Sequence, residues 1–83
     1  MSAYLQLKGQ EANLKSKRTA IILAASSLMK DLREDVAKTL ITPLEDIDVD
    51  SIKYKVDELK KKKEEYEQVS GDLRKIRKEL GEE

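Results

Sequence analysis

Leu7, Leu14, Ile21 and Leu28 recur every seven residues, and after the single proline, Pro43, a second series does the same: Ile52, Leu59, Tyr66, Leu73 and Leu80. Seven residues are close to two turns of α-helix, so each series lies along one helical face. Strands, with a period of two, cannot use this spacing. The chain therefore reads as two long amphipathic helices divided near the proline.

In the first helix, expected at about residues 3–39, Tyr4, Ala25 and Leu32 fill the interleaved positions. Val36 and Leu40 continue the stripe with a slight phase drift, while Glu11 and Arg18 interrupt it. In the second, expected at about 49–80, Val49 and Val56 accompany the early repeats and Val69 and Ile76 the later ones. The accompanying position changes side near Lys62 and Lys63, which predicts a stripe that shifts around the helix. Ser70-Gly71-Asp72 is a candidate kink, since glycine is a poor helix former.

Residues 40–48 form the expected connection. Thr42-Pro43-Leu44-Glu45 has a capping-box pattern with proline at the first helical position. Leu44 and Ile47 are out of phase with Ile52 and Val56, so a short helical turn at 43–47 should precede a restart. Asp48 is the expected cap of that restart, with Asp50 the alternative, and Ile47 should staple onto Ile52. Two helices with so short a link fold back antiparallel. Placing Leu40 opposite Ser51 sets Leu59 beside Leu32, Tyr66 beside Ala25 and Leu80 against Glu11, with residues 1–8 overhanging. The 83 residues are one helical-hairpin domain on this reading. Its internal core is expected at Leu14, Val49, Ile52, Val56, Leu59, Tyr66, Val69, Leu73 and Ile76.

Residues 19–29, TAIILAASSLM, carry no charge in a chain that is 41% charged. As a helix this run is about 16 Å long, against about 30 Å of bilayer hydrocarbon, so a membrane span is not expected. The run is apolar around much of its circumference, yet the second helix opposite it reads KKKKEEYEQVS. One amphipathic neighbour cannot cover so wide a face, and an uncovered face marks an interface. The expected solution is a homodimer of hairpins, a coiled-coil-like four-helix bundle with Ile21, Ile22, Leu23, Ala24, Ala25, Leu28, Met29, Leu32 and Val36 as its self-association surface. A helix from a different protein is the other candidate occupant.

Chemistry has little to work with. His and Cys are absent, which removes the commonest general base, thiol catalysis, disulfides and Cys-based metal sites. No phosphate-binding loop or nucleophile elbow is present, and no cofactor is expected. The acids at 46, 48 and 50 begin a calcium-loop pattern that fails at Ser51, where glycine belongs, and at Asp57, where glutamate belongs. Helix capping explains them. Lys60 to Lys63 spread around the helix among acids at i±3 and i±4, as a solvated face does. The antiparallel register brings Lys15, Lys17 and Arg18 near Arg74, Lys75, Arg77 and Lys78, a candidate nucleic-acid surface at the open end. Zero net charge and the lack of stacking aromatics there count against it. The expected function is that of a non-enzymatic structural or adaptor protein acting through helical packing. The absence of cysteine fits a cytoplasmic setting.

Overall fold

The computed structural model describes residues 2–81, whose regular structure is all helical, with no strand among them. Helix α1 spans Ala3–Thr39, a short 3-10 turn covers Leu44–Asp46, and helix α2 spans Val49–Glu79. The two helices lie antiparallel as a rod of 63 × 19 × 14 Å.

The caps follow from local chemistry. Ser2 begins α1 by accepting a hydrogen bond from the Leu5 amide at 3.2 Å. Asp48 begins α2 by accepting from the Ser51 amide at 3.0 Å, and Asp50 adds charge in the first turn. Thr42 departs from the capping-box expectation. Its hydroxyl turns back and donates to the Lys38 carbonyl at 2.6 Å, satisfying an end group of α1 instead. The 3-10 turn has no side-chain cap. Beyond α2, Gly81 takes φ +75°, the left-handed conformation that suits glycine after a helix end.

Two cross-helix ion pairs fix the register. Lys55 donates to Asp35 near the closed end, and Arg77 Nε lies 3.6 Å from Glu11 Oε2 near the open end. Arg77, one turn before Leu80, thus takes the place opposite Glu11 that the sequence register assigned to Leu80. Between these pairs the core is narrow. Leu73 is 1% exposed, Val69 3% and Ile21 7%. Leu14, Leu28, Leu32, Ile52, Leu59 and Ile76 are half-buried around them.

The seam of α2 does not shift at the lysines. It runs straight through Ile52, Lys55, Leu59, Lys62, Tyr66, Val69, Leu73 and Ile76, alternating steps of three and four residues. Lys55 and Lys62 hold half-buried seam positions with their ammonium groups drawn to Asp35 and to Glu65, the latter at 3.3 Å. Val49 and Val56, expected in the core, are therefore displaced to its margin, 63% and 47% exposed. Tyr66 is in the seam yet remains partly exposed, opposite the small side of Ala25 and Ser26. On α1 the seam runs Ile21, Ala25, Leu28, Leu32, Asp35 and Thr39, so Val36 and Leu40 also fall outside it.

Gly71 makes no break, because α2 continues through it. A Cβ added at Gly9 or Gly71 meets nothing within 4 Å, and neither has positive φ. Changing each to Ala should therefore stabilise the hairpin by about 1 kcal/mol, read from urea denaturation midpoints.

The hydrogen bond from Lys55 to Asp35 raises the lysine above its ordinary value of 10.5, with the Asp35 charge adding to the effect and desolvation opposing it. A raised lysine contributes stability below 10.5, which is lost as pH climbs through the raised value. Melting temperatures measured across pH 9 to 12 should fall more steeply for the wild type than for Lys55→Met.

A candidate docking edge

The seam's straightness decides what lies on either side of it. In an antiparallel pair, the position following each late seam residue flanks the same edge on both helices. On α1 that position holds Lys8, Lys15, Ile22, Met29 and Val36, and on α2 it holds Val49, Val56, Lys63, Ser70 and Arg77. The half nearest the turn is apolar on both helices. Ile22, Met29, Val36, Val49 and Val56 are all exposed there. Ile22 and Met29 line the α1 side of a shallow groove of about 220 Å³ between the helices, floored by Ala25, Leu59 and Tyr66, and Val36, Val49 and Val56 continue the apolar edge from it toward the turn.

The ridges above this groove are basic. Arg33 stands on the α1 ridge, Lys53 and Lys60 on the α2 ridge, and Lys63 at the groove itself. Farther toward the open end the same face carries Lys8, Lys15, Arg74 and Arg77. Glu67 is the acid on these ridges among the described residues, 3.8 Å from Lys63. The opposite face has another character. It presents Asp31, Glu34, Glu58, Glu65, Asp72 and Glu79 among Lys17, Lys38, Lys61 and Lys75, with Ala20, Ala24 and Ser27 at its middle. A chain of zero net charge is thus split into a cationic face bearing the exposed aliphatic edge and a mildly acidic face whose hollows, about 470 Å³ beside Leu14 and Ile76 and about 560 Å³ beside Val69, are lined mainly by polar and charged side chains.

Several expected site residues move accordingly. Ile21, assigned to self-association, is buried inside the hairpin. Ala25, Leu28 and Leu32 belong to the seam, and Ala24 lies on the acidic face. Leu23 is exposed on the outward side of α1, about 100° from the Met29 edge. Of that surface, only Ile22, Met29 and Val36 lie on this edge, Ile22 and Met29 at the groove itself. Val49 and Val56 join them, which pattern reading assigned to the core. The signal that would have found them is the unbroken seven-residue path through Lys55 and Lys62.

The proposed nucleic-acid cations do not form one patch. Lys15 and Arg77 converge on Glu11 with Lys8, at 3.8, 3.6 and 3.4 Å. Glu11 is itself only 5% exposed, with its Oε2 held by charge and not by a hydrogen bond. Arg18 is half-buried in the seam, Lys17 and Lys75 lie on the acidic face, and Lys78 points outward from α2. Consecutive residues on a helix are rotated by about 100°, so neighbouring cations diverge. Within the lysine run, Lys61 pairs with Glu58 at 3.2 Å and Lys62 with Glu65, as a solvated face does.

No group of three or more His, Cys, Asp or Glu side chains is placed to hold a metal among the described residues, and no helix is long and apolar enough to cross a membrane. Comparison with known protein families, with characterised proteins and with solved structures gives no match.

Edge and core should respond differently to truncation. Leu73→Ala should cost about 2–4 kcal/mol, because Leu73 has no room to be replaced by water. Val56→Ala should cost about 0.5 kcal/mol or less, as a surface change does. Paired urea titrations measure both.

Proposed function

We propose that this chain is a non-enzymatic protein–protein interaction module, a structural or adaptor component that works by packing further helices onto its apolar edge. The observation that supports this is the groove half of the cationic face. Five large aliphatic side chains from two helices are aligned there and left exposed by a hairpin whose own core is already closed. Scattered exposed hydrophobic residues need no explanation, but an aligned set beside a groove marks a contact surface. Hairpin pairing alone gives this small chain a thin core, so added helices would also strengthen it.

Two kinds of occupant fit the shape. A second hairpin would complete a four-helix bundle, the assembly expected from the sequence, and a helix of another protein would complete a three-helix arrangement. The reading does not extend to nucleic acid, because Lys8, Lys15 and Arg77 are drawn to Glu11 and Lys17, Lys75 and Lys78 lie on other faces.

An Ile22→Glu, Met29→Glu, Val36→Glu variant tests the module. It should keep the far-ultraviolet helical signal of the wild type, since these residues lie outside the seam. The wild type should show a mass above 9.5 kDa by light scattering, or retain a helical partner from a host extract. The variant should run as the monomer and retain none. Identical behaviour of the two proteins would sink the reading, as would loss of the helical signal.

A further inference from the structure

The ridges decide between the two occupants. We infer that the groove takes a single acidic amphipathic helix from another protein. Its narrow apolar stripe lies on Ile22, Met29, Val36 and Val56, and its flanking carboxylates lie against Arg33, Lys53, Lys60 and Lys63. The inference rests on the reading of this edge as a docking surface and adds the chemistry of the partner.

Shape supplies the first argument. Ile22 and Met29 line a groove between the two helices, with Val36 and Val56 in line beyond them, and a cylinder laid along it touches both helices at once. A second hairpin presents two ridges of its own to the same space. Charge supplies the second argument. Four cations, Arg33, Lys53, Lys60 and Lys63, border the apolar half of the groove, and Glu67 stands at its far limit. Flanking charges choose the partner of a helix packed on an apolar stripe, and here they select carboxylates.

A second copy meets the wrong charges in either symmetric arrangement. With the two rods antiparallel, the α2 ridge bearing Lys53 and Lys60 faces its own equivalent. With the rods parallel, Arg33 faces the Lys53 and Lys60 of the second copy. Like charges placed opposite one another oppose association. The acidic face of a second copy offers compatible charge but holds Ala20, Ala24 and Ser27 at its middle, with its one exposed ring, Tyr54, standing toward the turn, too little apolar surface to fill the groove.

The test uses the whole chain and two synthetic helices about three heptads long. Both carry the same leucine stripe, flanked in one by Glu and in the other by Lys. Each is titrated into the protein by fluorescence anisotropy at about 0.05 M and about 0.5 M salt. The Glu-flanked helix should bind at least about tenfold more tightly at low salt, the sum of several modest exposed ion pairs. High salt should shrink the margin. A variant with Arg33→Glu, Lys53→Glu, Lys60→Glu and Lys63→Glu, all exposed positions, should keep its helical signal and reverse the preference. Met29→Glu with Val56→Glu should weaken both helices. Equal binding of the two helices overturns the inference while leaving the edge a helix-docking surface. Failure of both to bind overturns it together with that reading. A dimer that excludes both helices and tightens as salt rises also overturns it, by placing a second copy in the groove.

Discussion

Charged residues inside the seam set the geometry on which everything else in this hairpin depends. A wholly apolar seam can slide by one heptad at little cost, because one ring of aliphatic side chains resembles the next. Asp35 and Lys55 do not settle the matter alone, since Lys62 stands one heptad beyond Lys55 and could take its place. Glu11 removes that option. The slip that brings Lys62 to Asp35 carries Arg77 away from a carboxylate that is nearly closed off from water. Such a group loses its cross-helix partner at a cost, keeping Lys8 and Lys15 of its own helix. The two ion pairs, close to opposite ends of the rod, exclude what either would allow by itself.

This fixed register has a second effect. With polar side chains admitted to the seam at Lys55, Lys62, Asp35 and Thr39, aliphatic residues that a simple pattern would bury are left beside it. Val49 and Val56 from one helix and Val36 and Met29 from the other gather on one edge. The same rotation sorts the charges, placing Arg33, Lys53 and Lys60 on that side and Glu58, Glu65 and Asp72 on the other. Neither composition nor net charge carries a trace of this division.

The positions of both helices, the Asp48 cap and the antiparallel return were legible in the sequence, because each rests on local rules of period, capping and link length. The register was legible to within one turn. What escaped was the assignment of seam positions. Val56 attracted a core reading because it is apolar, while Lys55 was passed over because it is charged. A long lysine can occupy a seam position with its stem and deliver its charge to the margin, whereas the valine has no such reach. Thr42 misled in a similar way. Its place before proline suggested a cap for the next turn, but the nearer open carbonyl at the end of α1 took its hydroxyl. The breadth of the uncharged run pointed correctly to uncovered apolar surface, though not to the edge on which Ile22 and Met29 join Val36, Val49 and Val56.

The spacing of the two ion pairs also orders the assembly of the rod. Asp35 and Lys55 are separated by 20 residues, so their meeting closes a short loop, while Glu11 and Arg77 enclose most of the chain. Short loops cost less entropy to close, and local contacts form first. The hairpin is accordingly built to zip from its turn toward its termini and to fray in the reverse direction. The groove occupies the part that closes early and opens late. An incoming helix would meet that stretch already in place, even in molecules whose free end has come apart.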